Sequence, residues 1–331
     1  MIQHLPNYKN FQIDVLRLDL SHPLYGGNKY FKLKYNIEKA LYFDYVQRDA
    51  IEGKLASGGH PEPFESDQDE LGRRTTKTIL TFGGAHSNHI YATAAYCHEQ
   101  KVKSIGVIRG EESMIAKSPT LQFAQLQGMH LHFISRENYK NKTNNDFVNE
   151  LKNEFGNFHL IPEGGNNEDG IKGCSEILND VPFYDYVFCA CGTGCTYSGI
   201  LSTAKSKQII VGISVLKGES ELRDEVNVNS QKFGFIKIIP YEKGLLNHST
   251  ILNNYHFGGY AKHSQELLQF KLIFEQETTI PLDYVYTAKL FYAAYDLIDK
   301  QLLVPNKRVL VIHSGGQQGN AGYQSRYKLN A

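Results

Sequence analysis

Lys29 stands directly after Gly26-Gly27-Asn28 and opens the run Lys29-Tyr30-Phe31-Lys32-Leu33-Lys34, which has the look of a helix. Lysines on a helix are ordinarily solvated. Here the glycine-glycine-asparagine turn sets Lys29 at the helix start, against the positive end of the dipole, where its charged form is disfavoured. A less protonated amine is what a Schiff-base lysine requires. Lys32, one turn on, projects from a neighbouring face and is placed to reach a phosphate.

The segment Gly192-Thr193-Gly194-Cys195-Thr196-Tyr197-Ser198-Gly199 follows the apolar run Tyr186–Ala190 and precedes another helix. Its glycines let successive N–H groups converge, its threonine hydroxyls add donors, and a helix N-terminus favours an anion. That combination describes a phosphate cup. It has neither the G-K-[ST] of a Walker A loop nor the G-x-G-x-x-G of a dinucleotide site, so a cofactor bearing a single phosphate fits best. A glycine-rich turn without a ligand is the alternative for this loop alone. Cys189, Cys191 and Cys195 surround it as C-x-C-x3-C, but no second cluster supplies a fourth ligand at zinc-like spacing. Buried small side chains are expected there, with no metal. In a third segment, Thr81-Phe82-Gly83-Gly84-Ala85-His86-Ser87-Asn88-His89, Ser87 and Asn88 would begin a helix. Capping alone accounts for them, yet side chains at that place also face a cleft.

These residues need a scaffold. Short apolar runs predict strands at Ile79–Phe82, Ser104–Ile108, Leu131–Ser135, Phe158–Ile161, Tyr186–Ala190, Ile209–Val215 and Arg308–His313. Helical spacing covers Pro119–Gln127 (N-capped by Ser118, stopped by Gly128), Asn145–Phe155, Tyr260–Gln276 and Thr287–Leu302. The alternation implies an α/β fold of open, twisted parallel sheets with helices on both faces, which bind ligands outside the carboxyl ends of their strands. Gly83-Gly84, Gly164-Gly165, Gly192–Gly194 and Gly315-Gly316 all stand at such ends and point to one shared cleft. The Pro- and acid-rich stretch Ser57–Arg74 interrupts the pattern and reads as a mobile surface loop, with a lid as one possible use.

Lys plus Arg and Asp plus Glu both number 35, so no basic stripe points to nucleic acid. The N-terminus lacks the basic and apolar regions of a signal peptide, and no stretch approaches the roughly 18 apolar residues of a membrane span. Five cysteines in 331 residues make no disulfide framework. A cytoplasmic protein is expected.

Seven blocks in order, GGNKYFKLKY, TFGGAHSNHIYATAA, LIPEGGNNEDGIKG, CGTGCTYSGI, FGGYAK, VYTAKL and VIHSGGQQG, resemble the fold type II pyridoxal-phosphate (PLP) enzymes. Within these they are similar to the group of 1-aminocyclopropane-1-carboxylate (ACC) deaminases and D-cysteine desulfhydrases. The resemblance implies that Lys29 holds PLP as a Schiff base and that Asn88 bonds its ring hydroxyl. It rests the phosphate on Gly192, Thr193, Gly194 and Thr196, with Lys32 as the nearby cation. Ser87, Tyr260 and Tyr286 match positions that contact substrate or move its protons, and Thr287 and Ser314 match positions beside the cofactor ring. The implied fold is tryptophan synthase β-like, with a large domain of residues 1–32 and 161–331 and a smaller inserted domain of 33–160. PLP lies between them, and a homodimer acting on a small amino acid is expected.

ACC deaminases typically carry Glu at the place of Thr287 and no hydroxyl at that of Ser314, whereas desulfhydrase-like members have hydroxyls. A hydroxyl beside the pyridine nitrogen leaves a weaker electron sink, which is enough for β-elimination. The expected activity is therefore D-cysteine desulfhydrase-like release of ammonia and a 2-oxo acid, with ACC deamination as the alternative. A non-catalytic PLP- or phosphate-binding protein is the alternative of another class, and Lys29 argues against it. The chain departs from the family pattern in Arg17-Leu18-Asp19-Leu20, in the Ser57–Arg74 stretch, and in His86 and His89 around the Ser-Asn pair.

Overall fold

The computed structural model describes residues 1–51, 78–217, 219–233, 246 and 249–329. The expected loop at Ser57–Arg74 lies outside them. The chain opens with strands β1 (Ile2–His4) and β2 (Gln12–Arg17), then helix α1 (Asn28–Ile51). Four strand–helix units follow: β3 (Thr78–Gly84) with α2 (Asn88–Glu99), β4 (Lys103–Arg109) with α3 (Pro119–Leu126), β5 (His130–Ile134) with α4 (Asn145–Phe155), and β6 (His159–Ile161) with α5 (Glu168–Ser175). Three more are β7 (Tyr186–Cys191) with α6 (Cys195–Ser202), β8 (Ile209–Ser214) with α7 (Glu219–Phe233), and β9 (Ser249–Leu252) with α8 (Gln265–Thr278). Helix α9 (Thr287–Asp299), β10 (Arg308–His313) and α10 (Asn320–Tyr327) complete the chain.

Among the described residues the strands form two sheets, one ordered β1-β2-β10-β7-β8-β9 and one ordered β5-β4-β3-β6. Every pairing is parallel except β1 with β2. All seven expected strands are present within two residues at either end. Three were not foreseen. In β2 the buried Asp14 breaks the apolar run, its carboxylate accepting from Tyr184 Oη at 2.7 Å and lying 2.7 Å from His4 Nδ1. Strands β1 and β9 have only three and four residues, too few to show a period. The helix expected over Tyr260–Gln276 begins instead at Gln265, because Gly258, Gly259 and Ala261 adopt positive φ and Ser264 caps the helix. The one expected over Thr287–Leu302 ends at Asp299.

Alternation along the central strands fills both faces of the larger sheet. Tyr186, Phe188 and Ala190 of β7 pack with α8 and α9, while Val187, Cys189 and Cys191 pack with α5, α6 and α7. Strands buried on both faces read as near-continuous apolar runs, and a fully buried Val or Phe among them contributes about 1.5–3 kcal/mol. Helix α1 links the sheets: Leu33, Ile37 and Ala40 join Ile79 and Ile161 of the smaller one and Ala92 of α2. On its other side α1 touches α5 so closely that a Cβ on Gly173 would lie 1.8 Å from the Phe31 carbonyl oxygen. The N-terminus of α1 is thereby set in the cleft between the two sheets.

Candidate active site

The cleft has a volume of about 1220 Å³, and glycines of all four expected clusters line it: Gly84, Gly164, Gly192 with Gly194, and Gly315 with Gly316. Glycine is needed where two main chains meet. Gly27 has φ +91°, and a Cβ there would lie 2.2 Å from the Ser314 carbonyl oxygen. The Asn28 N–H donates to that same oxygen at 3.2 Å, so the turn before α1 and the loop after β10 are locked together. Arg17 and Asp19 brace this corner through a two-bond pair at 2.9 and 2.7 Å, and His313 Nδ1 lies 3.1 Å from Asp19. Burial pushes the Asp19 carboxyl up, but the bonds from Arg17 and His313 outweigh it and hold it well below the usual range. The departure at Arg17-Leu18-Asp19-Leu20 thus still forms a working brace.

Lys29 is the second residue of α1. Its Nζ donates to Asn28 Oδ1 at 3.0 Å, and Asn28 Nδ2 donates to Thr196 Oγ1 at 2.9 Å. Burial, then the Lys32 ammonium, lowers the pKa of Lys29 to about 7. The low pKa was expected from the helix dipole, whereas desolvation and a like charge produce it here. Lys32 is buried, with Nζ donating to the Gly164 carbonyl at 3.1 Å.

The loop after β7 ends at Gly194, which has φ +82° and begins α6 with no side chain capping its free N–H groups. Thr193 Oγ1 is buried and bonded to nothing. Gly164 closes over it so tightly that a Cβ there would lie 2.9 Å from Thr193 Cγ2. Free N–H groups, an orphan hydroxyl and nearby ammoniums are what a phosphate ester would satisfy. Cys189, Cys191 and Cys195 are buried in the core behind the loop. Among the described residues no three His, Cys, Asp or Glu side chains are grouped to hold a metal.

Ser87 caps α2, its Oγ accepting the Ile90 N–H at 3.3 Å, and both Ser87 and Asn88 line the cleft. Of the flanking histidines, His89 is buried with Nε2 2.8 Å from Thr81 Oγ1, which itself donates to the Ile161 carbonyl. Its ring therefore donates from Nε2, and burial followed by the charges of Lys29 and Lys32 keeps it neutral, well below its ordinary pKa. Tyr260 and Tyr286 also line the cleft, Tyr260 being 46% exposed. Tyr286 lies against Gly192, and burial, then Tyr260 and Asp283, holds its phenol protonated, well above the usual value. Ser314 lines the cleft.

Thr287 is not among the residues that line the cleft wall. It is fully buried, with Oγ1 donating to Asp283 Oδ1 at 2.8 Å and accepting the Asp283 N–H at 2.6 Å. The hydroxyl expected beside the cofactor ring is thus bonded to Asp283 at the start of α9. Asp283 accepts the N–H groups of Val285, Tyr286 and Thr287 at 2.8 to 2.9 Å. Asn28 was missed as a residue of the cleft, and Asp283 as the residue that holds the start of α9. A D-x-x-x-T pattern before a helix and the Asn of Gly-Gly-Asn-Lys were the available signals.

The protein-family model for pyridoxal-phosphate dependent enzymes matches residues 65–315. A bifunctional D-cysteine desulfhydrase/ACC deaminase of Arabidopsis thaliana is 27% identical over 306 residues, covering 83% of this chain and 72% of that protein. A D-cysteine desulfhydrase of Yersinia pestis is 22% identical over 291 residues, covering 82% and 86%. The solved structure of an ACC deaminase homologue superposes with a TM-score of 0.76 at 25% identity, covering all of this chain and 93% of that one. Among the described residues no helix is long and apolar enough to cross a membrane. The cleft accommodates the cofactor of this family: the unpartnered Thr193 hydroxyl and open α6 N-terminus suit its phosphate, and the lowered Lys29 amine suits its aldehyde. The chain belongs to the pyridoxal-phosphate dependent enzymes, with the fold type II architecture its motifs resembled.

Proposed function

We propose that the chain catalyses β-elimination from a small amino acid of the D-cysteine type, releasing ammonia and a 2-oxo acid. The observation that carries this reading is Lys29, an amine with a pKa of about 7 in the cleft that the glycine cup and Asn88 also line. PLP, when bound, supplies the electron sink for Cα–H cleavage and loss of the β-substituent. Lys29 would hold it covalently, Asn88 its ring hydroxyl, and Gly192, Thr193, Gly194, Thr196 and Lys32 its phosphate. At neutral pH Lys29 Nζ can both take and return a proton, which suits it to move the one on the substrate Cα. Ser87, the cap of α2, and Tyr260, in the turn before α8, both line the cleft and would present hydroxyls to substrate. Tyr286, held protonated, donates beside Gly192.

Elimination is favoured over ACC ring opening by the polar groups available. Ser314 is the expected hydroxyl that lines the cleft, and Glu163 is the one carboxylate among the described lining residues. ACC has no β leaving group to take up electrons, and the Glu its deaminases carry is here a Thr committed to Asp283. ACC remains the second substrate to assay, because the Arabidopsis relative carries both activities in its name. The test is a panel of D- and L-cysteine, β-chloroalanine and ACC offered to the purified holoprotein. D-Cysteine and β-chloroalanine should yield pyruvate and ammonia, with sulfide from the thiol, while ACC yields little 2-oxobutanoate. Efficient ACC turnover with none on D-cysteine would overturn the substrate assignment.

A further inference from the structure

Lys289 in α9 is wholly enclosed, at 0% exposure, yet among the described residues no carboxylate bonds its ammonium. Its Nζ donates to three main-chain carbonyls, Gly259 at 2.8 Å, His256 at 2.9 Å and Val215 at 3.4 Å. A buried charge with no carboxylate bonded to it is costly unless dipoles converge on it. Two of these carbonyls belong to the turn that leads into Tyr260. The turn is strained: Phe257 and Ala261 have φ of 50° and 52°, and Gly258 and Gly259 between them have 95° and 115°. Non-glycine residues keep such angles only where surrounding structure imposes them. The third carbonyl, Val215, lies just past the end of β8, so one ammonium ties the turn to the larger sheet.

We propose that Lys289 acts as a tethered monovalent cation, its ammonium filling a cage of main-chain carbonyls and so fixing the turn that presents Tyr260 to the cleft. Ammonium and potassium are close in size, and converging carbonyl dipoles replace the hydration shell of either. Lys289 is then a positioning residue, acting through Tyr260 by charge and not only by the packing of its stem. That effect on turnover rests on the proposed role of Tyr260; the cage itself does not.

Methionine ends one heavy atom short of Nζ, so Lys289→Met keeps the stem and empties the cage. In buffer whose only added cation is tetramethylammonium, the Lys289→Met holoprotein should lose tenfold or more in kcat/KM and melt several degrees below the wild type. Replacing that salt by KCl at constant ionic strength should restore Tm and at least half of the lost activity, saturably, while the wild type responds to neither change. Should Lys289→Met not accumulate in folded form, Lys289→Gln, whose amide reaches fewer carbonyls, enters the same series. A loss that is equal in both salts, or no loss at all, overturns the proposal. A Tm restored by potassium with activity unmoved throughout would keep the cage and remove Tyr260 from the reaction.

Discussion

Lys29, Thr287 and Ser314 show how far a side chain's chemistry depends on what surrounds it. Burial and Lys32 bring Lys29 to a pKa of about 7, against 10.5 for a free lysine, so its neutral fraction rises as pH passes 7. The rate at which apoprotein recaptures PLP should therefore climb through a midpoint near pH 7; a climb confined to pH above 9 would show an ordinary lysine. Thr287→Glu would set a second carboxylate against Asp283 in a fully buried place, costing about 3 kcal/mol or more in urea unfolding. Ser314→Leu, in the cleft wall, should alter the ratio of substrates with little change in the urea midpoint. Equal destabilisation by both variants would contradict this separation. Lys29 was legible in the sequence because its glycine turn and helix start are local. The depth of Thr287 was not, since only its bonds to Asp283 reveal it.

At the scale of elements, the cofactor groove depends on how closely α1, α5 and α6 approach. Gly173 has no room for a Cβ beside the Phe31 carbonyl, and a Cβ on Gly199 would lie 2.4 Å from that of Cys174. Because α1 carries Lys29 and Lys32 while the glycine cup leads into α6, anything that spreads these helices separates the two halves of the proposed site. Gly173→Ala should lower PLP affinity at least tenfold as well as Tm; a fall in Tm with affinity unchanged would uncouple the packing from the site. The strands of both sheet centres were legible because they are continuous apolar runs. The edge strands β1 and β9 of the larger sheet and the turn before Ser264 were not, as short pairings and positive φ at Phe257 and Ala261 leave no periodic trace.

Over the whole molecule the formal charge is zero, yet Arg109, Lys117, Arg136 and Arg326 line the cleft against the single carboxylate of Glu163 among the described residues. Association of the PLP dianion with apoprotein should slow as salt rises past ~0.1 M, where the Debye length is about 10 Å, and Lys117→Glu with Arg136→Glu should remove most of that dependence. A salt-independent rate would assign the rim no steering role. This local imbalance was invisible in the composition, because the four cations come from three strand and helix units spread along the chain. Lys29 and Lys32 in the cleft wall and the fully buried Lys289 are then the amines that any account of the cofactor must tell apart. Borohydride reduction of the PLP-loaded protein, followed by proteolysis and peptide mass spectrometry, reads which amine holds the pyridoxyl group. The adduct should fall on Lys29 alone; an adduct on Lys32 or Lys289, or none on any lysine, would contradict the account at its centre.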